Sequence, residues 1–214
     1  MVKADTKTVL LDAAEWAARR HGHDGFSYAD LSKHVGIRTA SIHYHFPAKT
    51  DLITALMTRY KGAIAKKLAK LDQDLNSSGD RILGFLDLYR TALNGGDTLC
   101  LCVALSMGRD TLTEETLRQI ADFRGQTLAW LQEVFALAAQ DGSICNVCDP
   151  SKEAAAALAL AEGAQVSARS EQNMQRFDHA TEMMRQRIRS GRSVAAPSSE
   201  LRLTVIDKAT GFRR

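Results

Sequence analysis

Residues 25–49, GFSYADLSKHVGIRTASIHYHFPAK, constrain this chain more than any other stretch. They predict two short helices joined by a tight turn at Gly36 and closed by Pro47. Ser27 is placed to accept from the free N–H groups that open the first helix, and Asp30 completes a capping-box pattern. Leu31 and Val35 share one face at i,i+4 spacing. Gly36 falls where a left-handed residue is needed, because it has no Cβ to clash. The second helix offers Ile37, Ile42 and Phe46 to a core. It leaves Arg38, Thr39, Ser41, His43, Tyr44 and His45 mostly outward. Short, donor-rich, cationic and aromatic side chains of this kind suit a helix laid in a major groove against phosphates and base edges.

Charge is unevenly spread along the 214 residues. Residues 1–75 hold twelve Lys and Arg against eight Asp and Glu, a net +4, with five of the six His. Residues 76–190 hold eleven against fifteen, a net −4, and the remainder five against two, a net +3. A cationic head on an acidic body suits polyanion binding by the head alone. Charge by itself does not separate that from an accidental distribution of solvated residues. No apolar run approaches the ~20 residues that span a bilayer, so no membrane partner is expected. The first 22 residues carry charges throughout and do not read as a signal peptide. Four cysteines do not suggest a secreted disulfide scaffold. The expectation is a cytoplasmic, reducing setting.

The rest of the chain reads as helices. Residues 5–21 form an amphipathic helix with Leu10, Ala13, Ala14 and Ala17 on one face. Lys3 and Lys7 read as solvated more readily than as phosphate contacts. From about Lys49 a fourth helix carries Leu52, Leu56, Tyr60 and Ile64, with a basic run of Arg59, Lys61, Lys66, Lys67 and Lys70 read as a solvated face. Ala48 is a poor N-cap, so a phosphate held by Lys49 and the first backbone N–H groups could supply the missing anion. Residues 76–79 break the chain, residues 80–93 are helical, and Asn94-Gly95-Gly96 stops them. Residues 98–107, TLCLCVALSM, are wholly apolar and fit a buried helix in this context. A long helix runs from Thr113 to about Ala139, and another follows Pro150 with Ser151 as its cap. Residues 171–189 carry Met174, Phe177, Thr181, Met184 and Ile188 at heptad-like spacing. This seam, with the alanine-rich helix before it, fits either a dimer interface or packing inside one subunit. Residues 191–214 read as a mobile tail, in which LRLTVID could form a short strand.

The stretch GFSYADLSKHVGIRTASIHYHFPAKTDLI resembles the helix-turn-helix signature of TetR-family transcriptional regulators. It departs from the usual pattern at Ser32, where a small Ala is common, and at His43 and Tyr44, where Tyr and His stand the other way round. The aromatic donor thereby moves one position, about 100° around the helix. The resemblance implies an all-α fold. Residues 1–48 would be a three-helix DNA-binding domain and residues 49–190 a helical effector-binding and dimerisation domain, with 49–75 as a linker helix. It implies a homodimeric repressor, not an enzyme, with no cofactor, on palindromic operator double-stranded DNA and released by a small-molecule or electrophile effector. Candidate DNA contacts are Ser27, Tyr28, Arg38, Thr39, Ser41, His43, Tyr44 and Lys49. Candidate effector residues are Phe85, Tyr89, Cys100, Cys102, Met107, Phe123 and Trp130, although residues of these types are more often plain core than ligand contacts. The last two long helices of each subunit would form the dimer bundle.

The cysteines support the only competing class. Cys145-Asn-Val-Cys148 has the spacing of a redox pair or half a zinc site. It lies in a loop between helices, however, without the strand that a redox enzyme places before it. Cys100-Leu-Cys102 is not a usual zinc partner for it. Some TetR-like regulators respond to electrophiles through a cysteine near Cys100 and Cys102. Two residues at i,i+2 on a helix point to different sides, so one thiol at most would face a pocket. Buried Cys as a small apolar residue is the plainer reading.

Overall fold

Capping groups and turn residues set the helix boundaries. The computed structural model describes residues 5–189. The expected tail from 191, with its LRLTVID segment, lies outside them, as does Lys3. In order the helices are α1 (Thr6–His21), α2 (Tyr28–Val35), α3 (Thr39–His45), α4 (Lys49–Asp74), α5 (Ser78–Ala92), α6 (Leu101–Ser106), α7 (Glu114–Asp141), α8 (Pro150–Ser170) and α9 (Met174–Gln186). The fold is all-α, and the one β feature among the described residues is an isolated bridge between Ile144 and Ile188.

The head is built as its sequence demands. Asp30 accepts from the Ser27 amide at 2.8 Å, and Ser27 Oγ accepts from the Asp30 amide at 3.3 Å, so the capping box is closed. Gly36 turns the chain with φ 75°, and its amide donates to the Ser32 carbonyl. Phe46, forced out of helical geometry by Pro47, sits at φ −139°. Leu10, Ala14, Leu31, Ile42, Phe46 and Leu52 are all buried, closing a small core among α1, α2, α3 and the start of α4. At 26 residues, α4 is ~39 Å long and packs on α1, α5 and α7. It belongs to both head and body.

Three boundaries differ from expectation. First, α5 starts at Ser78, because Ser77 Oγ accepts from the Asp80 amide and converts part of the 76–79 breaker into a cap. Second, Asp149 rather than Ser151 caps α8, accepting from the Ser151 and Lys152 amides, with Pro150 at the first turn, where no donor is needed. Third, α9 starts at Met174 and stops at Gln186, because Gln172 lies at φ 49° and Asn173 caps afresh. The heptad-like seam consequently faces inward. Phe177, Thr181 and Met184 are buried within the protomer, where α9 packs on α8 and α5, and Ile188 has left the helix for the bridge to Ile144. The outward residues are others: Ala155, Ala156, Ala159 and Gly163 on α8, and Ala180 and Met183 on α9.

Candidate DNA interface and the chamber behind it

On α3 and the residue before it, Arg38, Ser41, His43 and Tyr44 are exposed, Thr39 is half-buried, and the Tyr44 ring is 84% exposed. Its ring contact with the neighbouring His45, 5.2 Å away, leaves most of this large aromatic open to a partner. The other candidates are committed internally. The Tyr28 hydroxyl donates to the Phe46 carbonyl at 2.9 Å, pinning α2 to the end of α3, and burial pushes it up to about 12. His43 keeps its ring edge against Tyr28 and its Nδ1 3.1 Å from the Pro47 carbonyl. The Ser27 hydroxyl is spent on Asp30. The Lys49 ammonium donates to the Phe26 carbonyl and lies 4.3 Å from the Phe26 ring centre. Asp51 accepts from the Ala48 amide at 2.9 Å, so part of the anion missing at the start of α4 comes from the chain itself. Ser32, where the family more often has a small residue, donates through its hydroxyl to the Ile37 carbonyl across the turn.

Sequence reasoning missed the ties between head and body. Arg19 Nε donates to the Leu99 carbonyl at 2.8 Å. Its terminal nitrogen reaches the Ala92 carbonyl and the Thr98 hydroxyl, so one side chain grips both ends of the 92–99 loop. Arg59, expected on a solvated face, pairs with Asp12 at 2.6 Å and Glu15 at 2.8 Å, clamping α4 to α1. Thr111 Oγ1 reaches His23 and Asp24, both at 3.1 Å. Groups paired from 44 to 80 positions apart in sequence carry no local signal, which is why spacing did not reveal them.

Behind α1 the structure brings Tyr60, Phe85, Tyr89, Cys100, Cys102 and Phe123 together, all buried. Tyr60 and Phe123 rings lie 5.8 Å apart, and Phe85 and Tyr89 rings 4.9 Å apart. Trp130 is half-buried 6.1 Å from Phe85, and its Nε1 donates to Asp72. Trp130 and Phe123 line an open groove of about 300 Å³ between α4 and α7, with Lys61, Ile64 and Leu68. Met107 lies apart from this cluster and is 69% exposed.

The two thiols of this cluster do not diverge. Cys100 precedes α6 in extended backbone at φ −52°, ψ 138°, so helical i,i+2 geometry does not apply to it. Its sulfur takes a hydrogen bond from Cys102, and another from the Tyr60 hydroxyl at 3.3 Å. The Cys102 bond first, with Tyr60 adding, draws the Cys100 thiol down to about 7 against its burial. Burial pushes Cys102 up, so the pair shares its proton unequally. Gln165, fully buried in the alanine-rich helix, accepts from the Cys100 amide at 2.9 Å and donates to the Tyr89 carbonyl at 2.6 Å. Arg124 holds Glu162 at 2.7 Å, while burial pushes that carboxyl up. Among the described residues the Tyr89 hydroxyl is buried with no hydrogen-bond partner.

Comparisons with known proteins agree with this architecture. Residues 10–56 match the family model described as bacterial regulatory proteins, tetR family. A TetR-family regulator from Agrobacterium tumefaciens superposes with a TM-score of 0.81 at 26% identity, over 86% of this chain and 97% of that one. A TetR regulator from Legionella pneumophila gives 0.78 at 25%, over 88% and 100%. The reduced form of E. coli NemR shares the fold at 0.74 and 22%, over 88% and 100%. No curated protein matches the sequence. The matched head, joined to a body of the same fold, makes the chain similar to TetR-family transcriptional regulators.

Proposed function

We propose that the protein is a homodimeric repressor that binds a palindromic operator through α3. The observation that carries this reading is the exposed set Arg38, Ser41 and Tyr44, with the exposed His43 ring tied by one nitrogen to Pro47, on a head whose Ser27, Tyr28 and Lys49 side chains bond within it. Tyr28, Ser27 and Lys49 hold that platform rigid, and the exposed four read DNA from it. Two copies would set their α3 helices about 34–36 Å apart, one turn of the duplex. The dimer would form on the outward small residues of α8, Ala155, Ala156, Ala159 and Gly163, with Met183 of α9 beside them. Small side chains let helix backbones approach closely.

The effector site is the buried cluster around Cys100, with Tyr60 and the unpartnered Tyr89 hydroxyl as its polar groups and the groove at Phe123 and Trp130 beside it. Its chemistry favours a small apolar molecule with one polar group, or a soft electrophile captured by the Cys100 sulfur. Either would disturb the Cys100 amide and the neighbouring Leu99 carbonyl, which Arg19 ties to α1. An effector releases DNA only to the extent that it prefers the non-binding arrangement.

The test is a gel shift on the DNA upstream of the protein's own gene. Tyr44→Ala or Arg38→Ala weakens binding by about 10- to 100-fold, the range of one lost base or phosphate contact. Binding no tighter than to random DNA overturns the reading. In the same assay Cys100→Ser abolishes release by an α,β-unsaturated carbonyl and leaves operator affinity intact.

A further inference from the structure

We infer that Cys145 and Cys148 form a hydroperoxide-oxidised disulfide switch, separate from the Cys100 chamber. The two pairs differ in access: Cys100 and Cys102 are buried, whereas Cys145 is half-exposed and Cys148 exposed. The segment between the outer thiols turns at Asn146, whose φ of 59° folds the chain back on itself. Cys148 borders a surface recess of about 360 Å³ with Asp149, Lys152 and Glu153, open to a small oxidant.

Two guanidinium groups face this turn. Arg189 Nε donates to the Cys145 sulfur at 3.2 Å. Arg187 donates to the Cys145 carbonyl at 3.2 Å and the Asn146 carbonyl at 3.1 Å, and is anchored by Glu153 at 2.7 Å. Both sulfurs lie in the field of Arg187. The turn is also fixed from behind, since the Cys145 amide donates to the Arg187 carbonyl and the Arg189 amide to the Ser143 carbonyl, each at 2.8 Å. Ser143 and Asp141 in turn hold the Gly79 and Ser78 amides, both at 2.8 Å. The thiols therefore sit where the end of α7, the start of α8, the end of α9 and the start of α5 meet.

The chemistry is a two-electron oxidation. The Cys145 thiolate attacks the outer oxygen of a hydroperoxide, the O–O bond breaks, and the departing alkoxide takes a proton and leaves as the alcohol. Arg189 stays on the sulfur as it becomes the sulfenic acid. The Cys148 sulfur then attacks that sulfur, the S–O bond breaks, and hydroxide leaves as water with the Cys148 proton. The two thiols lose two electrons to the new S–S bond, and the hydroperoxide gains them.

The test uses full-length protein in which Cys100→Ser and Cys102→Ser silence the buried pair. After one equivalent of cumene hydroperoxide, mass spectrometry of the alkylated, digested protein should find residues 145 and 148 joined, two mass units lighter and restored by dithiothreitol. Adding Cys148→Ser should stop the reaction at a Cys145 sulfenic acid, trapped by dimedone. Arg189→Met should slow disulfide formation about tenfold, the worth of one charge-assisted hydrogen bond. The inference fails if both thiols remain alkylatable, if they pass directly to sulfonic acid, or if bound zinc protects them. None of these results depends on operator binding.

Discussion

The head and the body handle polar groups in opposite ways. In the head the buried residues of α1–α3 are apolar apart from the Tyr28 hydroxyl, and Arg38, Ser41, His43 and Tyr44 at α3 are exposed. In the body the polar groups are turned inward, where Cys100, Tyr60, Gln165 and Tyr89 meet away from water. Exposed donors on a rigid support can meet a partner, whereas buried polar groups must satisfy one another. The Tyr89 hydroxyl is the exception among the described residues, and an unsatisfied buried hydroxyl costs about 1–3 kcal/mol.

If the regions differ so much, their joint should be the costliest place to cut. Arg19 is that joint, its side chain only 17% exposed between α1 and the 92–99 loop. Arg19→Met leaves the Leu99 carbonyl without its side-chain donor and the Ala92 carbonyl with Thr98 alone, and should lower unfolding free energy by about 2–3 kcal/mol. A denaturant titration measures this. A loss below about 1 kcal/mol would mean that other contacts join the regions, with Arg59 the first to examine.

A smaller cut sharpens the comparison from the head's side. Ser27→Ala removes an exposed cap without touching the core, and should cost about 1 kcal/mol. The same titration reads it. If Ser27 supports α2 rather than meeting DNA, operator affinity per folded molecule should stay within about twofold of wild type, well short of the 1.4 kcal/mol that makes tenfold. A tenfold loss would instead make Ser27 part of the reading surface.

The head was legible in the sequence because its signals are local. Ser27 with Asp30, Gly36, and Pro47 after Phe46 each act within a few residues, and each does so in the structure. The helices of the body were legible for the same reason, with errors where a cap competed with its neighbour, as Asp149 did with Ser151. The buried cluster is only half-legible. Tyr60 fits the apolar face of α4 and Gln165 has no local signal in an alanine-rich helix, because their partners at Cys100 and Tyr89 lie 40 and 76 residues away. The inward turn of the α9 seam was hidden for a related reason. A heptad pattern specifies that a face is buried, but not whether the covering helix comes from the same chain.

The smallest effect tests whether the far end of the body is held by charge as well as by packing. Asp141 closes α7 and accepts from the Ser143 and Ser78 amides, each at 2.8 Å. Burial opposes its ionisation, but those hydrogen bonds with the Ser143 and Ser78 side chains outweigh it and hold the carboxyl at about 2. An unfolded aspartate titrates near ~3.9. A carboxyl depressed on folding contributes stability that is fully present above the unfolded value and is lost as pH falls through the folded one. Asp141→Asn should therefore melt a few degrees below wild type at neutral pH, about 2–4 °C for a loss of ~1 kcal/mol in a chain of this size. Melting curves collected from pH 7 down to about 3 should show that gap holding until roughly pH 4 and narrowing below it. A gap that stays constant would assign the loss to the geometry of the amide rather than to the charge. Charge would then matter at this end of the body only in the guanidinium groups around Cys145.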